Sequence, residues 1–210
     1  MNTQSQHLET LSEIRSIMER STRFISLNGL AGVFAGIFAL LGALAAYYYL
    51  DLNISSSANY RYESSGIVNT SFYIFFFIDA LLVLAASILV AVYLSVRKAR
   101  KKGLKVWDNT AKRVLLNMLV PLASGGLFCL ILLYHEYFGI IAPATLVFYG
   151  LALFNTSKYT YSDIRVLGLI EIILGLISSV WIGYGLLFWA IGFGVVHIIY
   201  GIILYYKYEQ

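Results

Sequence analysis

The sequence lacks most of what a water-soluble fold or a covalent chemistry depends on. Its single cysteine, Cys129, lies in an apolar run, which excludes a disulfide framework and a cysteine-based metal site. Charged residues make up 12% of the chain, against about a quarter in an average soluble domain. Long stretches of the chain contain no Asp, Glu, Lys or Arg, among them residues 24–50, 114–134 and 172–206. Each is at least as long as the roughly 20 residues that cross a bilayer, so the composition predicts an integral membrane protein without a cofactor.

Hydrophobic runs divide the chain into six predicted spans, which together form an all-α polytopic membrane helix bundle. The spans cover residues 24–50, 72–96, 114–134, 138–154, 166–182 and 186–206. Before them, residues 1–23 carry apolar side chains on one arc at helical spacing. They are predicted to form a cytoplasmic amphipathic segment, either anchored at the membrane surface or simply solvated. The predicted organisation is that segment followed by one six-span transmembrane domain over residues 24–210.

The distribution of basic residues predicts the orientation, because lysine and arginine accumulate in cytoplasmic loops. With six spans, 14 of the 15 basic residues lie on the side that holds both termini, and Arg61 alone lies on the other. This pattern predicts a multi-pass protein of the cell inner membrane with both termini cytoplasmic.

The densest basic stretch, residues 97–113, has an ordinary explanation as the determinant of topology. Its density also makes six residues candidates for contact with anionic lipid headgroups: Arg97, Lys98, Arg100, Lys101, Lys102 and Lys105. A nucleic-acid partner is not predicted, because this 17-residue loop holds one tryptophan and no folded module. The predicted partners are the lipid bilayer and either a second copy of the chain or another membrane protein.

Small residues in the first span predict that it lies in the interior of the bundle. Glycine and alanine recur along residues 24–50 and include a G-x-x-x-G at Gly32 and Gly36. Lipid offers no hydrophobic drive for helix association, so close packing across small residues has to supply it.

The two halves of the chain contain similar segments. Residues 78–88 of the second span match residues 170–180 of the fifth, with Asp79 aligned to Glu171 and Ser87 to Ser179. Three spans in each half would place the two copies upside down relative to each other, as in many small transporters. The sequence thus allows a 3+3 inverted repeat. The alternative is chance, because membrane segments are built from few residue types.

Three ionisable residues lie inside predicted spans: Asp79, Glu171 and His197. Such a residue costs about 2.5–3.5 kcal/mol at the centre of a membrane helix, so it needs a partner or a function. Glu171 and His197 are each 13 residues from Tyr184 in the predicted turn between the last two spans. They therefore share one level of the membrane, and the pair is predicted to touch, either as structural glue or as a binding or proton-handling site. Asp79 is the third candidate, for which a structural role is favoured.

Enzyme motifs are missing from the sequence. It contains no G-x-S-x-G, H-E-x-x-H, P-loop or dinucleotide fingerprint. The prediction is a non-enzymatic protein, either transporter-like or a membrane scaffold for other proteins. The alternative is an intramembrane enzyme with Glu171 and His197 as acid and base, for which neither a nucleophile nor a metal ligand set can be identified.

A family resemblance adds to this reading. The runs 153–160, 163–165, 183–189 and 197–202, together with residues 18–27, resemble a group of uncharacterised small polytopic inner-membrane proteins of Bacteroidetes. The resemblance covers about a third of the chain and implies a bacterial inner membrane. It implies no activity and no binding site.

Overall fold

The computed structural model describes residues 28–53, 70–103 and 106–208. Within these ranges the regular structure is helical throughout, which confirms the predicted all-α helix bundle. The long helices are α1 (Gly29–Asn53), α2 (Thr70–Lys101), α3 (Asn109–Tyr134), α4 (Phe138–Thr156), α5 (Asp163–Val180) and α6 (Gly185–Tyr208). The amphipathic segment predicted for residues 1–23 lies outside the described residues.

Five of these six helices are long and apolar enough to cross a membrane, which makes the chain a multi-pass membrane protein. The exception is α5, whose 18 residues extend about 27 Å at 1.5 Å per residue. It carries Asp163, Arg165 and Glu171. Asp163 and Arg165 stand in its first turn, so its apolar part begins at Val166, where the fifth span was predicted to begin. The sixth crossing stays a prediction.

The basic stretch is partly helical, which corrects the prediction of a loop over residues 97–113. Helix α2 continues through Arg97 and ends only at Lys101. Arginine and lysine are good helix formers, and cations in the last turn interact favourably with the helix dipole. Helix α3 then begins early, because the Asp108 side chain caps it by accepting a hydrogen bond of 2.6 Å from the backbone N–H of Ala111.

Helix α1 packs against α2 on one side and α6 on the other. Gly29 and Gly36 of α1 face α6 so closely that side chains are excluded. A Cβ added at Gly36 would lie 2.6 Å from the carbonyl oxygen of Gly194, and one added at Gly29 would lie 2.5 Å from the backbone nitrogen of Tyr205. The close approach of another helix, predicted from the small residues of the first span, is confirmed. The interior position predicted for this span is not confirmed, because Leu41, Leu44 and Tyr48 of α1 are exposed.

Helices α4 and α5 form a second close pair. A Cβ at Gly150 would lie 2.6 Å from the carbonyl oxygen of Gly168, and a Cβ at Gly168 would lie 2.7 Å from the carbonyl oxygen of Gly150. Further along, a Cβ at Gly175 would lie 2.9 Å from the carbonyl oxygen of Pro143. The two backbones therefore touch over two turns, and this contact sets the position of α5.

Alanine at Gly150 is expected to destabilise the protein by about 1–3 kcal/mol, the usual cost of overpacking. The matched control is Gly126→Ala on α3, where a Cβ meets nothing within 4 Å and alanine should gain up to about 1 kcal/mol of helix propensity. Thermal unfolding of both variants in one detergent measures the difference. Equal stability of the two variants would contradict the backbone contact.

The order of neighbours bears on the predicted inverted repeat. Helix α1 contacts α2 and α6, whereas α4 contacts α5 and α3. An inverted repeat that superposes α1, α2 and α3 on α4, α5 and α6 requires these contacts, because α2 then corresponds to α5 and α6 to α3. Helix α4 also contacts the start of α6. The repeat itself, with Asp79 superposed on Glu171, stays a prediction.

Candidate functional site

The structure brings Glu171 and His197 together in the α5–α6 hairpin. The chain reverses at Gly183, whose φ of 112° is a left-handed conformation open to glycine. Glu171 is fully buried and His197 is 6% exposed. The imidazole Nδ1 lies 3.3 Å from Oε1 of the carboxyl group. The equal spacing from Tyr184 predicted their level, and the packing of α5 and α6 turns both side chains inward.

Helix α6 is irregular where it meets Glu171. It is α-helical over Gly185–Trp189, π-helical over Ala190–Val196 and α-helical again over His197–Tyr208. Short π segments are rare and often mark functional sites. This one was not predicted from the sequence, although two glycines in seven residues, Gly192 and Gly194, are a signal that regular helix is weak there.

Gly192 connects the two candidate residues. Its carbonyl oxygen lies 2.9 Å from Nδ1 of His197. A Cβ at this position would lie 2.6 Å from Oε2 of Glu171 and 2.6 Å from Cδ2 of Leu146. Only glycine therefore leaves room for the carboxyl group against α6.

Tyr149 of α4 is a third member of the site, and it was missed in the sequence. Its hydroxyl lies 2.9 Å from Nε2 of His197. The Phe193 ring stacks on the imidazole at a centroid distance of 5.9 Å. Tyr149 is one of 17 tyrosines, and its position inside a span, away from the interfacial belts, is the signal that could have identified it.

The hydrogen-bond partners define where the protons of His197 lie. A carbonyl oxygen can only accept, so Nδ1 carries a hydrogen and donates it to Gly192. The Tyr149 hydroxyl then donates to Nε2 of the neutral ring, or accepts from Nε2 when the ring is charged. Neither carboxyl oxygen of Glu171 has a hydrogen-bond partner in the part of the chain that the structure describes.

A buried carboxylate without hydrogen bonds is costly in a low-dielectric environment. Two arrangements reduce that cost at Glu171: a proton on the carboxylate itself, or a positive charge on the adjacent imidazole. Ser178 extends the polar face of α5, since it lies two turns further on, is fully buried, and has a hydroxyl without a partner among the described residues.

Asp79 lies apart from this site. It is half-buried on α2 and faces α1, where a Cβ at Gly42 would lie 3.4 Å from both of its carboxylate oxygens. Among the candidate lipid contacts, four side chains are exposed and Lys98 is buried, while Lys105 lies outside the described residues. The exposed four are Arg97, Arg100, Lys101 and Lys102. Their contact with lipid stays a prediction.

A polar cluster joins the start of α5 to the end of α6. Asp163 accepts hydrogen bonds of 2.8 Å from both Lys207 Nζ and the Tyr208 hydroxyl. Partial burial opposes the charge of Asp163, but these two hydrogen bonds and the charge of Lys207 outweigh it and hold the pKa of this carboxyl below its usual value. Asp163 therefore stays ionised at neutral pH. Its hydrogen bonds hold the start of α5 against the end of α6, opposite the turn at Gly183.

Within the described ranges, no group of three or more His, Cys, Asp and Glu side chains is placed to hold a metal ion. Comparison of the chain with protein-family models, curated proteins and solved structures found no match.

Proposed function

We propose that this protein is a transporter-like protein of the bacterial inner membrane, not an enzyme, and that the Glu171–His197 pair binds the ion on which its transport depends. The observation that carries the proposal is the fully buried carboxyl group of Glu171, which has no hydrogen-bond partner among the described residues. Polar residues that join membrane helices do so by hydrogen bonding across them. Glu171 makes no such hydrogen bond among the described residues, so its carboxylate is available to balance the charge of a bound cation.

The place of the pair in the fold supports this proposal. The π segment of α6 contacts α5 through Gly192 and Glu171, and contacts α1 through Gly194, where a Cβ would lie 2.4 Å from Cδ2 of Leu40. Transporter sites are often built at helix irregularities near the middle of the membrane. A change of charge at Glu171 would act at the point where α1 and the α4–α5 pair meet on α6.

We further propose that both termini are cytoplasmic. The 14 basic residues on one side of a six-span arrangement support this orientation. The site would then be reached from the cytoplasm past the cluster of Asp163, Lys207 and Tyr208, and from the opposite side past the turn at Gly183.

Transport can be tested without a known substrate. Purified protein in liposomes on a solid-supported electrode is exposed to jumps of pH and to a panel of small solutes, while a trapped dye reports internal pH. We expect transient currents or pH changes from the wild type and their loss in Glu171→Gln, because an amide keeps the shape of the side chain but carries no charge. Monodisperse elution and helical circular dichroism confirm the fold of the variant.

The control is Asp79→Asn, which changes the other acidic residue inside a span and should keep the signal. Signals of equal size in Glu171→Gln and wild type would contradict the role of the pair. A wild type that gives no signal with any solute or pH jump would contradict transport and favour a scaffold.

A further inference from the structure

We infer that the bound ion is a proton, that it adds to Nε2 of His197 through the hydroxyl of Tyr149, and that Glu171 is its buried counter-charge. This inference rests on the proposed function, because it names the ion of the same site. It makes Tyr149 a positioning and proton-passing residue that sequence reasoning did not reveal.

The packing around Glu171 favours a proton over a metal cation. Oε2 lies against the backbone of Gly192 and beside Leu146, so closely that a Cβ at Gly192 would stand 2.6 Å from both. A bare cation such as Na⁺ or Ca²⁺ needs several oxygen ligands around it. The nearby carbonyl oxygen of Gly192 accepts from Nδ1 of His197, and among the described residues no group of three or more His, Cys, Asp and Glu side chains is placed to surround a cation here.

The partners of the imidazole decide which nitrogen takes the proton. Nδ1 already carries a hydrogen, because the Gly192 carbonyl at 2.9 Å only accepts. A further proton can add only to Nε2. The hydrogen-bond partner of Nε2 is the Tyr149 hydroxyl at 2.9 Å, so a proton that enters or leaves the ring passes through that oxygen.

The proton that His197 gains comes ultimately from a hydronium ion. The O–H bond of Tyr149 breaks as the Nε2–H bond of His197 forms, and the phenol oxygen takes a replacement proton from a hydronium ion, which becomes water. Tyr149 ends neutral and His197 becomes an imidazolium. The ionised Glu171, with Oε1 at 3.3 Å from Nδ1, balances the new charge. The pair changes from a net charge of minus one, in which the charge of the buried carboxylate is uncompensated, to neutral, and release is the reverse.

Few other ionisable groups lie near the ring, so we assign the bound proton to this trio. Helix α1 has no ionisable residue between Gly29 and Ala46, and α4 has Tyr149 alone. Helix α5 contributes Glu171, with Asp163 and Arg165 two turns away at its start. On α6 itself, Tyr200 follows His197 by one turn, and Tyr205, Tyr206, Lys207 and Tyr208 stand at its end.

Solid-state NMR of the full chain in bilayers, with ¹⁵N-labelled histidine, tests the inference without a transport assay. His197→Asn identifies the signals of His197. We expect the wild-type ring to change from the neutral Nδ1–H form to the imidazolium as the pH is lowered. In Glu171→Gln the imidazolium should be strongly reduced at the same pH, because the counter-charge is gone.

The role of Tyr149 is tested by rate. In Tyr149→Phe we expect the imidazolium still to form, but with exchange of its Nε2 proton with solvent slowed about 10²-fold, the usual contribution of a positioned proton-transfer group. The control Tyr206→Phe changes an exposed tyrosine of the same bundle and should exchange at the wild-type rate.

A His197 that stays neutral at every pH where the protein is folded would overturn the proton site. Wild-type exchange in Tyr149→Phe would overturn the path through Tyr149. If the wild type gives no transport signal in liposomes but His197 still changes to the imidazolium in the NMR experiment, the proposed transport function is contradicted and the proton site is not. The two failures can therefore be told apart.

Discussion

At a pH where His197 is an imidazolium, its replacement by leucine is expected to destabilise the protein by about 3–5 kcal/mol, the usual cost of removing one partner from a buried charge pair. The physical reason is Glu171, which is fully buried and has Nδ1 of His197 at 3.3 Å. Without the imidazole, the carboxyl group has to stay charged in a low-dielectric environment or take a proton that it holds without a hydrogen-bond partner. Denaturant unfolding in mixed micelles measures the loss.

The joint variant Glu171→Gln/His197→Asn is expected to recover most of that stability. Both amides are neutral, and each can donate and accept hydrogen bonds. Together with the single variants Glu171→Gln and His197→Asn, it forms a double-mutant cycle, which isolates the interaction energy of the pair. His135→Leu, in the exposed α3–α4 turn, is the control for histidine removal. If His197→Leu costs no more than His135→Leu, the two groups do not carry opposite charges.

Topology gives the second large effect, because labelling of a loop is close to all or none. After Cys129, the single cysteine, is replaced by serine, one cysteine at a time is placed at Ser57, Lys102 or Tyr184. A membrane-impermeant reagent on intact cells is expected to label positions 57 and 184 and to spare position 102. This follows from the basic residues, which are concentrated on the side that holds residue 102.

Position 184 also decides whether α5 crosses the membrane. If α5 stays on the cytoplasmic side, the α5–α6 turn is protected and only position 57 is labelled. Labelling of position 102 with protection of position 57 would reverse the orientation. Permeabilised cells, in which every position should react, show that each cysteine is accessible to the reagent.

The number and bounds of the helices were largely predictable from the sequence. Water is absent from the bilayer core, so each crossing has to be a helix of about 20 apolar residues, and such runs are visible without a structure. Phe138 begins α4 as predicted, and the turn at Gly183 lies where its glycines indicated. The bounds were wrong mainly at the end of α2, whose basic residues continue the helix past the apolar run, and at the start of α3, which begins at Asn109.

The level of the site in the membrane was predictable from the sequence, but the directions of its side chains were not. Counting residues from the turn sets how deep Glu171 and His197 lie, because the rise per residue of a helix is constant. The direction in which the Glu171 side chain points depends instead on how α5 is rotated against α4. The contact of Gly150 with Gly168 sets that rotation. Tyr149 joins the site only because α4 is the helix that this contact brings beside α6.

Hydrophobicity, charge and helical rise, which are all properties along the chain, were enough to predict a membrane protein, the approximate bounds of its helices and the shared level of Glu171 and His197. The contact between Glu171 and His197, the hydrogen bond between Tyr149 and His197, and the π-helical segment of α6 beside them are visible only in the folded bundle. Those features depend on the contacts of side chains and backbones far apart in the chain, at glycines such as Gly192 whose neighbours no local pattern specifies.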